Sequence, residues 1–262
     1  MTAEKKKVLK RLSSALYPLG AAAFIVVLWA ITAAAVGEEL LVPSVGATFR
    51  GLWQMLTEGA TYAAIGGTIW RALAGWALAL VAAAVFAALA ILFKPVKKLF
   101  APLMSVMRSV PTMSVIMLAL LWVTSGQMPL IVTFMTLFPV QYSAMIAASE
   151  AVDPRLVEMA KIYRVPTAKR VLKMYLPCMA PQIVEGVRST LSLTLKVTIA
   201  AEVLAQTRDS IGVGMMQAQS FLQTDRILGW TVIAIVLGAL AELFVTFAAW
   251  AARRLYAVGE RA

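Results

Sequence analysis

Residues 109–149 read SVPTMSVIMLALLWVTSGQMPLIVTFMTLFPVQYSAMIAAS and contain no Asp, Glu, Lys or Arg. One helix crosses a hydrocarbon core of about 30 Å with roughly 20 apolar residues, so this run is long enough for two. Ser125-Gly126-Gln127-Met128-Pro129 breaks it in the middle with turn-forming residues. Two antiparallel spans joined by a turn use the whole stretch, which makes the bilayer the solvent for this chain. Composition agrees: of 262 residues, 61% are apolar and 14% charged, and mean hydropathy is +0.83. Soluble domains average roughly 45–50% and 25%. These residues leave room for about six spans and short loops.

Working outward, residues 12–37 are uncharged and follow Lys5, Lys6, Lys7, Lys10 and Arg11. That run is too long for the apolar part of a cleaved signal peptide and reads as a retained first span. Residues 72–93 form a second uncharged run, closed by Lys94, Lys97 and Lys98. Residues 227–252 hold one charge, Glu242, and end at Arg253-Arg254. Residues 183–205 are interrupted by Glu185, Arg188, Lys196 and Glu202. They are taken as a span because one more crossing keeps both termini on the side their charges favour. The expectation is an all-α integral membrane protein with six transmembrane helices. It has a basic cytoplasmic N-terminus over 1–11, one transmembrane domain over 12–255 and a cytoplasmic tail over 256–262.

Charge fixes the expected orientation. Seventeen Lys and Arg fall in segments on the N-terminal side of the membrane, against Arg50, Arg71, Arg208 and Arg226 on the other. Such a bias places both termini on the cytoplasmic side of the membrane. It also removes nucleic acid as a partner, because the net charge of +11 is spread over short loops instead of one soluble face. The chain has no His and a single Cys, Cys178. Imidazole bases, the usual metal cages and internal disulfides are therefore excluded, and no catalytic or metal-ligating residue is expected.

The segment 150–181 is the longest cytoplasmic loop. Asp153-Pro154 supplies a helix cap and a first-turn Pro; Leu156, Met159, Ala160 and Tyr163 recur at helical spacing, and Val165-Pro166 stops the helix. A second short run, 167–176, ends at Pro177, with Arg155, Lys161, Arg164, Lys169, Arg170 and Lys173 on the polar sides. The loop either contacts a protein or lies on anionic headgroups.

Glu158-Met159-Ala160, Arg164 and Met174-Tyr175-Leu176-Pro177 resemble the EAA loop of ABC importer permeases, with Met for the middle Ala and Arg164 where that pattern has Gly. Leu41-Val42-Pro43-Ser44, Met107-Arg108-Ser109-Val110-Pro111-Thr112, Ala200-Ala201-Glu202-Val203-Leu204 and Ile211-Gly212-Val213-Gly214 are similar, in order, to segments of the nitrate/sulfonate/taurine/bicarbonate branch. The resemblance implies a cytoplasmic coupling loop between helices 4 and 5, built from Arg155, Glu158, Met159, Ala160, Tyr163, Arg164, Val165 and Pro166. Arg164 in place of Gly either leaves the helix straighter or offers its own side chain to the partner. The implied partners are a cytoplasmic ABC ATPase dimer, a second copy of the permease, an extracytoplasmic solute-binding protein and the lipid bilayer. No Gly-x-x-x-x-Gly-Lys-[Ser/Thr] phosphate loop occurs, so no cofactor is expected in this chain, with ATP and Mg on the ATPase.

The cargo implied is a small anion of the sulfonate, taurine, nitrate or bicarbonate class, with a thiamine-precursor pyrimidine as the alternative within the family. An ion-gradient-driven secondary transporter is the alternative outside it. An ammonium inside a span costs roughly 2.5–3.5 kcal/mol, so Lys196 faces the path, water or a partner. It either attracts an anionic cargo or pairs with another helix, for example through Glu242. Arg188 is expected to pair with Glu185. Lys196, Glu202, Arg108, Pro111 and Thr112 are the candidate path residues, with Pro111 marking a kink.

Overall fold

The computed structural model describes the backbone of residues 3–259, and the side chains of Tyr17 and of residues 20–247 apart from 168. The expected basic segment 1–11 and tail 256–262 lie outside the residues whose side chains are described. No strand occurs among the described residues. The chain divides into two units, one formed by residues up to Gly59 with Met215–Val232, the other by Ala60–Gly214 with the remainder from Ile233.

In the first unit, α1 (Ala3–Val36) carries the apolar stretch Gly20–Val36 and stops at Gly37, whose φ of 70° needs a residue without Cβ. Helix α2 (Val45–Thr57) starts at Ser44, whose hydroxyl accepts the Ala47 N–H at 3.1 Å. The Trp29 indole N–H donates to the Pro43 carbonyl at 3.1 Å and ties the two helices. In the returning segment, Arg226 pairs with Glu58 at 2.6 Å, and the Thr224 hydroxyl donates to the Leu40 carbonyl.

In the second unit, α3 (Gly59–Leu92) is longer than the span expected at 72–93. Residues 60–70 are uncharged and let the helix start early, so Arg71, expected in an outer loop, lies inside it. Its buried face is a stripe of small residues, among them Ala64, Thr68, Ala72, Gly75, Ala79 and Ala83, which admits close helix approach. Helix α4 (Lys94–Ser109) and α5 (Thr112–Ala119) meet at 90° across Val110-Pro111. Pro111 supplies the expected break, because the residue before a Pro is driven to extended backbone, here ψ 126° at Val110. Helix α6 (Met128–Glu150) begins where the turn cluster ends, as expected. After it come α7 (Pro154–Ile162), α8 (Thr167–Arg170), a π-helical turn (Val171–Tyr175), α9 (Leu176–Ala205) and α10 (Ile211–Ser220), and then α11 (Thr224–Gly259).

Three described helices are long and apolar enough to cross a membrane: α3, α6 and Thr224–Phe247 of α11; the bent α4–α5 pair makes a fourth. Helix α9 has 30 residues but carries Glu185, Arg188, Lys196 and Glu202, so apolarity alone does not mark it. It packs antiparallel to α6. The Thr133 and Thr198 hydroxyls bond at 2.8 Å, and Gln141 donates to the Thr190 hydroxyl at 3.3 Å, eight residues later in α6 and eight earlier in α9. The Trp76 indole N–H of α3 also donates to Thr190, at 3.3 Å. Phe86, Phe100, Phe138 and Tyr142 meet through tilted and edge-to-face ring contacts across α3, α4 and α6, with Phe86 and Phe100 centroids 4.8 Å apart.

Candidate functional site

Helix α9 has two chemically different faces. Thr190, Leu191, Thr194, Leu195, Thr198 and Glu202 are buried, while Glu185, Arg188, Ser189, Leu193 and Lys196 are exposed. The exposed face lines a cavity of about 460 Å³ with Ser192, Val140 of α6 and Glu242 of α11. Two cations and two carboxylates thus meet at one opening. The expected Glu185–Arg188 pair does not form, nor does a Lys196–Glu242 pair. Among the described residues the ion pairs are Arg71–Glu202, Lys97–Glu150 and Arg226–Glu58. Arg188 and Glu185 are both exposed at this opening, where water solvates each separately and an exposed pair gains little.

A second cavity, of about 220 Å³, sits at the α4–α5 bend and shares Val140 with the first. Arg108 and Thr112 line it together, as the sequence grouped them, and Thr136 of α6 joins them. Most of the remaining lining is Val and Met. Pro111 contributes the bend, not a lining side chain.

Glu202, expected on the path, is corrected: it has no exposed side-chain surface. Its carboxylate accepts from the Thr68 hydroxyl at 2.9 Å, the Arg71 Nε at 3.0 Å and the Gly212 backbone N–H at 3.3 Å. Thr68 in turn accepts the Ile211 N–H at 3.0 Å, and Arg71 donates to the Asp209 carbonyl at 2.7 Å. The helix period puts residue 202 on the α3 side of α9, about 120° from Lys196. A buried carboxylate persists only when its oxygens are bonded this fully. Glu202 is therefore a clasp joining α3, α9 and the start of α10.

The loop after α6 is built as the caps foretold. Asp153 accepts the Arg155 N–H at 2.8 Å and Pro154 opens α7. At the other end the Arg164 N–H reaches the Lys161 carbonyl at 2.9 Å and the Val165 N–H reaches Ala160 at 3.0 Å, with Arg164 at φ 51°. This is the double-bonded left-handed helix stop that Gly usually occupies. The expectation of a straighter helix is thus overturned: the bend forms despite the side chain, because two backbone bonds and Pro166 enforce it. Ala160 is buried and Val157 packs on the core below, so the apolar residues do not share one face. Leu156, Met159, Ile162 and Tyr163 point outward, the last two 78% and 77% exposed. Nor does Pro177 end the second short helix. The π-turn bond from the Leu176 N–H to the Val171 carbonyl carries the helix past the N–H that Pro lacks.

Residues 79–256 match the family described as binding-protein-dependent transport system inner membrane component. The chain belongs to this family. The permease is 28% identical over 247 residues, 93% of its own length and 91% of the relative's, to the protein named as the aliphatic sulfonates transport permease SsuC of Escherichia coli (strain K12). It is 27% identical over 202 residues, 73% of each chain, to the taurine transport system permease protein TauC of the same organism. Its fold resembles that of an amino acid ABC transporter crystallised with histidines, with a TM-score of 0.60 at 15% identity over 71% of the permease and 92% of that chain. It also resembles the MetNI methionine ABC transporter in inward facing conformations, with a TM-score of 0.58 at 14% identity over 76% and 96%. The permease is thus a multi-pass membrane transport protein of the sulfonate and taurine branch, as its motifs indicated.

Sequence reading missed Thr68 and Arg71 as partners of Glu202, Thr136 beside Arg108, and Ser189 and Ser192 beside Lys196. A signal existed for two of these. Thr68 and Arg71 lie three residues apart on one helical face of an otherwise apolar run, which is where a buried acid needs its donors.

Proposed function

We propose that this chain is the membrane-spanning subunit of an ATP-driven ABC importer for short aliphatic sulfonates. Its six crossings are α1, α3, the bent α4–α5 pair, α6, α9 and α11, an even number that returns both termini to the cytoplasm. Two copies pair, an extracytoplasmic binding protein delivers the cargo, and a cytoplasmic ATPase dimer grips α7. The outward Met159, Ile162 and Tyr163, ringed by Arg155, Lys161 and Arg164, suit an apolar groove with an acidic rim.

The cargo reading rests on one observation above the rest: Arg188, Ser192 and Lys196 face an open cavity on a helix otherwise packed against α3 and α6. Charges at membrane depth persist where they meet water or a charged occupant. The aliphatic sulfonate and taurine relatives support an anionic head as that occupant. Uptake of taurine and ethanesulfonate by cells carrying the complete transporter tests this. Lys196→Met lowers uptake at least tenfold at unchanged membrane abundance; normal uptake refutes the assignment. For the loop, Glu158→Lys or deletion of residues 155–166 abolishes co-purification of the ATPase while membrane insertion persists. Undiminished co-purification refutes that part.

A further inference from the structure

A further cavity, about 460 Å³, lies between α3, α9 and α11 and is apolar where the one beside Lys196 is charged. Its floor is Ala72 and Thr194, both buried, with Ala241, so each helix offers a short side chain where three helices leave space. Its mouth opens between Leu73, Leu240 and Phe244, all exposed. No charged side chain is among the described lining residues, and the Thr194 hydroxyl is already bonded to the Thr190 carbonyl at 2.7 Å. A trapped water needs two to four polar partners and finds no such set here. Packed interiors do not keep a void of this size empty, so the slot calls for an apolar occupant. The rim continues into the outward apolar surface of the same spans, with Trp70 and Leu78 exposed on α3 and Val236 and Leu243 on α11. In a membrane protein that surface meets hydrocarbon.

We infer that this slot is a binding site for one acyl chain of a bilayer phospholipid. Size decides between a chain and a protein segment. An apolar cavity of about 150 Å³ stays dry and takes one benzene, so three such volumes take roughly 18 carbon atoms, the length of one acyl chain. Two turns of a helix with its side chains, about 11 Å across and 11 Å long, fill roughly 1,000 Å³, so a second copy covers the mouth without filling the slot. No cation lines the slot, and the charged end of the ligand therefore lies elsewhere, as a phospholipid headgroup does at the bilayer surface. Helices α9 and α11 line both cavities, and Leu195 and Ala241 here directly precede Lys196 and Glu242 there. The bound chain props, from the lipid side, the two helices that carry those charges.

Photolabelling tests the site. The full chain is placed in vesicles of palmitoyl-oleoyl phosphatidylcholine containing a phosphatidylcholine with a diazirine near the middle of one chain, irradiated, and its adducts are mapped by mass spectrometry. Lipid that only surrounds the protein labels Val81 and Val85, which are exposed on α3. A chain lying in the slot also labels Leu191 and Leu195 of α9, which are only 5% and 9% exposed. Ala241→Leu fills the slot from α11 and Ala72→Leu from α3, and each removes the α9 adducts. Adducts retained at Val81 and Val85 show that the variants are inserted and folded. Labelling at Val81 and Val85 with none at Leu191 or Leu195 overturns the inference, as do α9 adducts that survive both filled variants. Disulfide cross-linking between copies through Phe244→Cys in a Cys178→Ser background, in place of the α9 adducts, gives the slot to a second copy and overturns it too.

Discussion

Replacing Arg71 with Met removes the guanidinium from a carboxylate that has no route to water. The Glu202 side chain is 0% exposed and Arg71 13% exposed, with their closest atoms 3.0 Å apart. Breaking a buried pair by deleting one partner costs about 3–5 kcal/mol, because the other charge stays desolvated and unanswered. At roughly 2–4 °C per kcal/mol for a chain of this size, the unfolding midpoint falls by about 6–20 °C. Thr68 and the Gly212 N–H still bond the carboxylate, which places Arg71→Met toward the lower end. Glu202→Gln costs less, since the side chain left behind, Arg71, reaches the surface and keeps its bond to the Asp209 carbonyl. The double variant Arg71→Met/Glu202→Gln recovers part of the loss, because the neutral amide carries no unanswered charge and keeps an acceptor oxygen for the Thr68 hydroxyl and the Gly212 N–H. Thermal unfolding of the purified permease in detergent micelles, followed by tryptophan fluorescence, measures all three. A midpoint within about 1 °C of the parent for Arg71→Met, or single effects that simply add in the double variant, refutes the clasp.

Three further outcomes follow from local geometry. Arg164→Gly relieves a left-handed residue and stabilises the α7 stop by about 1 kcal/mol, seen as roughly fivefold slower amide exchange at residues 164 and 165; unchanged exchange contradicts the strain. Gly75→Ala places a Cβ 2.8 Å from the Leu130 carbonyl oxygen and 2.9 Å from the Thr133 Cβ, so the helices must part. It lowers stability by about 1–3 kcal/mol, and Gly75→Leu prevents accumulation in the membrane on an immunoblot. Glu58→Gln, by contrast, breaks a pair whose side chains are 34% and 42% exposed, and shifts the melting midpoint by less than about 3 °C.

The parts that the sequence discloses are those governed by local chemistry. The turn before α6 is written in Gly126 and Pro129, the α4–α5 break in Pro111, and the start of α7 in Asp153-Pro154. Each depends on residues within a few positions of itself. What stayed hidden depends on pairing across long separations. Nothing near Glu202 announces Thr68 and Arg71, which meet it only once α3 and α9 have packed. The start of α3 is hidden for the same reason: Arg71 reads as a loop charge, and only the buried Glu202 makes it acceptable within the helix. Arg164 misled for a related reason. Propensity argues against a left-handed Arg, and two backbone hydrogen bonds together with the following Pro outweigh it.

These features lie along one element. Helix α9 runs about 45 Å at 1.5 Å per residue, and the π-turn joins it to α8 without a break. At its near end is the loop proposed to engage the ATPase; along its exposed face are Arg188, Ser192 and Lys196; toward its far end Glu202 is clasped to α3. A displacement of α8 therefore reaches the groove through continuous helix, and one of α7 enters it by way of the stop at Arg164. Such a displacement must tilt or slide α9 against α3 and α6, to which it is bonded at Thr190 by Trp76 and Gln141 and at Thr198 by Thr133. The clasp at Glu202 ties the far end of α9 to α3, so in the proposed transporter the face that carries Arg188 and Lys196 lies between the coupling loop and that tie. In the proposed transporter the cargo-facing side chains and the helix that leads from the coupling loop thus belong to one element, so the proposal needs no chain of intermediates between them.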